Sequence, residues 1–148
     1  MPYEFKVTRR VEFSDTDMAG IMHFSNFFRF METAEHAFIR SLGFSVVLEH
    51  FNPPLGLPRV HAACDYKAPL HFEDEVEIHL LVQHKKLKSL SYQFRFIKLN
   101  ATPPVEVARG SLTVVCATRL SNGQLTAMPL PQALAEQIHP APKALLEG

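Results

Sequence analysis

The spacing in this chain with the clearest capacity for chemistry is Asp15-x-Asp17-x-x-Gly20, two carboxylates on alternate residues followed by a glycine. A carboxylate beside a reactive carbonyl either attacks it or deprotonates the water that does, and the oxyanion that forms needs preorganised donors. Asp17 is the candidate for the first task. The segment from Met22 to Ser25 leads into a helical pattern, and free amides at a helix entrance, aided by the helix dipole, favour negative charge. Gly20 lets the backbone turn closely between carboxylate and donors. Asp15 is the rival carboxylate, although an aspartate in such a loop also serves as a turn or capping residue. His23 either lines the site or fills the loop, since a neutral imidazole does both.

The elements that must position these residues are legible from periodicity. Tyr3 to Phe13 alternates, with Phe5, Val7, Val11 and Phe13 on one parity, and reads as a half-buried strand. After Ser25 the period changes: Phe27, Phe28, Phe30, Met31, Ala34, Ala37, Phe38 and Leu42 recur at helical spacing, and Gly43 stands where a C-terminal cap belongs. Glu32 and Glu35 lie on this helix and face either a ligand pocket or the sheet edge or, as is usual for helix charge, solvent. Phe51 to Pro58 is an irregular loop. Strands are expected over Arg59 to Tyr66, Glu75 to Gln83, Ser89 to Leu99 and Val105 to Thr118, and Asn122-Gly123 marks a turn before a short strand. The order is a strand, one apolar helix, then antiparallel strands, an α+β arrangement with a single helix packed on a curved sheet. A length of 148 residues fits one domain over 1–148, with helical composition at Gln132 to Ile138 and a weakly ordered tail over 132–148.

Composition narrows the function. Lys plus Arg and Asp plus Glu balance at 15 each, so no global field draws in nucleic acid or an anionic membrane, and an anionic ligand must be held locally. No stretch approaches the roughly 20 apolar residues that span a bilayer, and the N-terminus lacks a signal-peptide pattern, which points to a cytoplasmic protein. Cys64 and Cys116 lack zinc-site spacing and read as buried small apolar residues. His61, His71, His79 and His84 do not pair at a ligand spacing, so no metal is expected.

The stretch from Val11 to Phe30 resembles the signature of the 4-hydroxybenzoyl-CoA thioesterase branch of the hotdog superfamily: a strand ending in an aromatic residue, Asp-x-Asp-x-x-Gly, an apolar turn, then Asn-aromatic at the helix start. The resemblance extends over roughly residues 5 to 130 and includes Asp65-Tyr66-x-x-Pro69. It implies a hotdog fold, a helix wrapped by an antiparallel sheet, and hydrolysis of an acyl-CoA carrying an aromatic or medium-chain acyl group. Carried over by position, the catalytic carboxylate falls on Asp17 and the oxyanion donor on the backbone N–H of Phe24, with Gly20 and His23 beside them.

By the same resemblance, Glu32 touches the acyl group, Arg59 and His61 come to the site from a second subunit, and the hairpin residues Lys86, Lys88 and Ser89 approach the CoA phosphates. A homo-oligomer follows, a dimer or a dimer of dimers, with no cofactor because CoA is part of the substrate. Two other classes remain: a hotdog hydratase or dehydratase using His23 with Glu32, and a non-catalytic acyl-thioester binding module.

Overall fold

The computed structural model describes residues 2–148. Strand β1 (Glu4–Arg10) leads through a 3-10 turn at Phe13–Asp15 to helix α1 (Asn26–Ser41). Strands β2 (Arg59–Tyr66), β3 (Glu75–Lys85), β4 (Ser89–Lys98) and β5 (Val105–Val115) follow. The chain ends with a small hairpin of β6 (Ala117–Arg119) and β7 (Leu125–Ala127), and two short helices, α2 (Gln132–Ala135) and α3 (Lys143–Glu147). The five long strands form one sheet in the order β1-β3-β4-β5-β2, and every neighbouring pair is antiparallel.

The core lies between α1 and one face of this sheet. Along β4 the alternating Leu90, Tyr92, Phe94 and Phe96 are all fully buried. The helix turns Phe27, Phe30, Met31, Ala34, Phe38 and Ile39 toward them. Each such large side chain contributes about 1.5–3 kcal/mol on burial, which offsets part of the conformational entropy lost on folding. Gly110 on β5 leaves room for the Met31 side chain, which a Cβ there would overlap. The arrangement is the expected hotdog α+β fold, with the helix ending one residue before Leu42 and Gly43 at φ +90° as its cap.

Several expectations are corrected. The first strand ends at Arg10, because Glu12 and Asp15 close the 3-10 turn by reciprocal side-chain bonds to backbone amides and turn the chain away from the sheet. Phe13 is therefore 75% exposed and packs edge-on against Phe72 instead of entering the core. The expected strand Val105 to Thr118 breaks at Cys116, whose amide donates to Lys88 O. Cys116 is buried but Cys64, on the exposed strand β2, is only half-buried.

The end of the chain, expected to be weakly ordered, is anchored. Leu134 and Ile138 are buried, Ala141 N–H donates to Val82 O at 2.8 Å, and Arg95 donates to the carbonyls of Leu145 and Leu146. Among the described residues no helix is long and apolar enough to cross a membrane, and no group of three His, Cys, Asp or Glu is placed to hold a metal ion.

Candidate active site

The loop between β1 and α1 is held at three points, and each fixes one part of the site. Thr16 and Met22 pair as an antiparallel bridge, Asp17 N–H donates to Ile21 O at 3.0 Å, and Gly20 at φ +79° completes the turn between them. Met22 N–H donates to Leu70 O at 2.7 Å, tying the loop to the segment before β3. That segment is rigid because the buried Asp74 carboxylate accepts from the His71 N–H and from Asn100 Nδ2, and Lys98 Nζ stands 3.4 Å away. These bonds favour the ionised form and hold the Asp74 carboxyl below its usual range against the opposing cost of burial.

Asp15 and Asp17 have separate tasks. Asp15 Oδ2 accepts the Glu12 N–H, and its backbone carbonyl accepts from His23 N–H at 2.8 Å and from Asn26 Nδ2 at 2.8 Å. It is the residue that orders the loop. Asp17 Oδ1 accepts the Ala19 N–H at 2.8 Å, while Oδ2 accepts no hydrogen bond from the described residues.

Asp17 borders an open, mainly apolar pocket of about 420 Å³ lined also by Phe24, Phe27, Tyr66, Lys67 and Pro69. That size falls within the range of ordinary small-molecule sites. The floor is aromatic, with Phe27 edge-on to both Tyr66 and Phe96. Of the four amides from Met22 to Ser25, Met22 and His23 donate to backbone carbonyls and Ser25 points weakly at His23 Nδ1, 3.3 Å away. The Phe24 N–H has no partner among the described residues.

A family model of the thioesterase-like superfamily matches residues 11–138, from just before the Asp-x-Asp loop to just past α2. The chain belongs to the thioesterase-like superfamily. It is thus an enzyme of the thioester hydrolase class. A solved gentisyl-coenzyme A thioesterase is 34% identical to this superfamily member, covering 88% of this chain and 98% of the other at a TM-score of 0.74. A 1,4-dihydroxy-2-naphthoyl-CoA thioesterase from Synechocystis is 26% identical over 91% of this chain and 95% of its own, with a TM-score of 0.79. The 4-hydroxybenzoyl CoA thioesterase of Pseudomonas sp. strain CBS-3 shares the fold at a TM-score of 0.80, with 20% identity over 91% of this chain and 99% of that one.

The other sequence-derived candidates of this thioesterase-superfamily chain lie apart from the pocket. His23 is not among its lining residues. Its ring stacks on Phe24 at 4.6 Å, and its Nδ1 sits 2.8 Å from Ser25 Oγ, so it shapes the helix entrance. Glu32 is largely exposed and 3.8 Å from Arg59 Nη2. Arg59 turns inward, donating from Nη2 to Glu35 Oε1 at 2.6 Å and from Nη1 to Leu57 O. His61 is exposed on β2. Lys86, Lys88 and Ser89 form the β3–β4 hairpin, where Lys86 N–H donates to Ser89 O. This hairpin lies at the opposite end of β3 from Asp17, about 33 Å along the strand at 3.3 Å per residue.

Two groups with functional weight escaped the reading of the sequence. Glu35, expected to be solvated, is fully buried beside Arg59, and burial raises its carboxyl above the usual range despite that partner. The Tyr92 hydroxyl stands by it without completing a hydrogen bond, and burial drives that phenol well above its ordinary value. The signal was available: Glu35 lies four residues after Met31 and three before Phe38, on the apolar stripe itself. Lys67, at the pocket, donates to Glu106 Oε2 at 2.6 Å. Only its neighbourhood to Tyr66 and Pro69 in the resemblance pointed there.

Proposed function

We propose that the protein is an acyl-CoA thioesterase that releases CoA and a free acid from an aromatic acyl-CoA. The observation that carries this reading is the meeting, on one apolar pocket, of a carboxylate with an uncommitted oxygen and a helix-entrance residue whose amide has no partner. A thioester carbonyl seated against Phe24 has its oxygen at that N–H, where negative charge developing in the transition state is stabilised. Asp17 then attacks the carbonyl carbon, or takes the proton of a water that attacks it, and the tetrahedral intermediate collapses with loss of CoA thiolate; on the first route a water then hydrolyses the acyl–Asp17 anhydride, freeing the acid and restoring the carboxylate. A thiol has an ordinary pKa of about 8.5, so this leaving group departs without a strong general acid. No cofactor enters the reaction.

The hydratase reading needs His23 and Glu32 at one site, and this geometry does not favour it, because the histidine shapes the helix entrance while the glutamate faces Arg59. The two relatives acting on gentisyl-CoA and 1,4-dihydroxy-2-naphthoyl-CoA support a hydroxylated aromatic acyl group, and the Phe27 and Tyr66 rings suit it.

The second subunit follows from the sheet edge. Strand β2 is an unpaired edge exposed along most of its length, with Val60 62% exposed, and such an edge templates pairing with another strand. Antiparallel pairing of two copies of β2 across a two-fold axis sets the Tyr66 end of one beside the Arg59 end of the other. Asp17 sits at the Tyr66 end, and the basic hairpin sits at the Arg59 end, with Ser89 opposite Val115 and Arg59 opposite Val114. Dimerisation therefore brings the second copy's Arg59, His61, Lys86, Lys88 and Ser89 toward Asp17, where the lysines meet the CoA phosphates.

Thiol release from a panel of hydroxyaromatic, benzoyl and medium-chain acyl-CoAs tests the reading. Turnover is expected to be fastest with the hydroxyaromatic members. Binding of the panel without thiol release would support the non-catalytic module instead.

A further inference from the structure

Tyr66, the last residue of β2, takes no part in the reaction above, yet its hydroxyl donates to the backbone carbonyl of Phe24 at 3.0 Å across 42 residues of sequence. That carbonyl also accepts the Phe27 N–H, but at the longer distance of 3.4 Å. The tyrosine hydroxyl is therefore the shorter of two bonds fixing the peptide plane next to the one that carries the Phe24 N–H. Its ring packs edge-on to Phe27 with centroids 5.0 Å apart, which sets the direction of the hydroxyl, and it lines the same pocket as Asp17.

We infer that Tyr66 is a positioning residue for the oxyanion-binding amide: its bond to Phe24 O holds the entrance of α1 so that the Phe24 N–H presents to the thioester oxygen. This rests on the thioesterase reading of the Asp17 pocket. An oxyanion donor acts only if it is already in place when charge develops. The plane carrying the Phe24 N–H is held by Asn26 N–H donating to His23 O at 2.9 Å, and Tyr66, reaching from the sheet, holds the plane on the other side of Phe24. Desolvation pushes its phenol up to about 12, so the hydroxyl remains a donor throughout the working pH range. Because β2 is the edge strand, the same residue links the sheet edge to the site.

The test compares wild type with Tyr66→Phe, which keeps the ring and removes the hydroxyl, and with Tyr66→Leu, which removes both. Thiol release is followed with 4-hydroxybenzoyl-CoA and with whichever panel member wild type cleaves fastest. Tyr66→Phe is expected to lower kcat about 10-fold, the kinetic equivalent of one ordinary hydrogen bond. KM should stay within about two-fold and the pH profile should keep its shape, as for a bond that matters only in the transition state. Amide hydrogen exchange over His23 to Phe27 should quicken in the same variant. Tyr66→Leu should in addition raise KM by opening the aromatic floor.

An unchanged kcat in Tyr66→Phe would overturn the inference. So would a rise in KM alone, which would mean that the hydroxyl touches the acyl group, or a shifted alkaline limb, which would make it a proton donor in the reaction. If wild type cleaves no panel member, the thioesterase reading fails, and the exchange rates still decide whether the hydroxyl holds this turn.

Discussion

Asp15 and Asp17 carry the same functional group two residues apart and differ only in what their oxygens meet. Each accepts one backbone amide on one oxygen, Asp15 from Glu12 and Asp17 from Ala19, but only Asp17 lines the apolar pocket. A carboxylate away from the pocket orders the chain, and one at the pocket beside a candidate oxyanion donor is available for chemistry. A third carboxylate, Glu106, shows the electrostatic counterpart. Arg109 donates to both of its oxygens and Lys67 to one, and the Arg109 bonds foremost hold its carboxyl down to about 2 from the ordinary 4.5. A depressed folded-state pKa stabilises the fold above the unfolded value, and that stability is lost as pH falls through the folded one. Unfolding free energies should therefore decline between about pH 4.5 and 2 in wild type, and Glu106→Gln should flatten that decline by about 1 kcal/mol, the scale of a partly exposed ion pair. Equal acid limbs in the two proteins would show that the cluster contributes nothing. At this scale Gly20 was legible because only a positive φ suits its turn. The roles of Tyr66 and Lys67 were not, because a bond across 42 residues and a pocket wall leave no local pattern.

Helix α1 and strand β2 are joined through the Glu35–Arg59 pair, which fixes the middle of the helix to the first residue of the edge strand. The pair has unequal members, since Glu35 is fully buried and the Arg59 side chain is 29% exposed. Removing the arginine leaves a carboxylate in the core without its counterion, so Arg59→Ala should cost about 3 kcal/mol at pH 7. Glu35 already has a raised carboxyl, so its own contribution is fully present below the unfolded value of about 4.5 and is lost as pH rises through the folded one. The variant's deficit should accordingly shrink on acidification, as the orphaned group takes up a proton. Urea unfolding at pH 7 and pH 5 checks this, and a deficit independent of pH would contradict it. The helix itself was legible because its apolar residues recur at the helical period and Gly43 ends it. Glu35 was misplaced because solvation is the prior for helix charge, and only the stripe overrides it. The strand after Arg10 was overextended because alternation continues through Phe13, although the Glu12–Asp15 contacts that stop it span only three residues.

Among the described residues the five-stranded sheet ends in two edge strands, β1 and β2. The C-terminal segment lies over Gln93 and Arg95 on the sheet, which a sequence of prolines and short helical turns did not signal, because its hold depends on backbone carbonyls reaching distant side chains. Edge strand β2 has no such cover. A charge on that edge, at the exposed Val60 near its Arg59 end, should prevent two copies from joining, so Val60→Lys is expected to shift the protein toward monomer in light scattering and to abolish thiol release while leaving each chain folded. Full activity in a monomeric variant would refute the shared site. The central claim remains that Asp17 cleaves the thioester, and it is most directly tested by measuring thiol release from the best hydroxyaromatic acyl-CoA in wild type and Asp17→Asn at equal folded concentration. The account predicts a fall in kcat of about 100- to 10,000-fold with the substrate still bound; undiminished turnover in Asp17→Asn would contradict it.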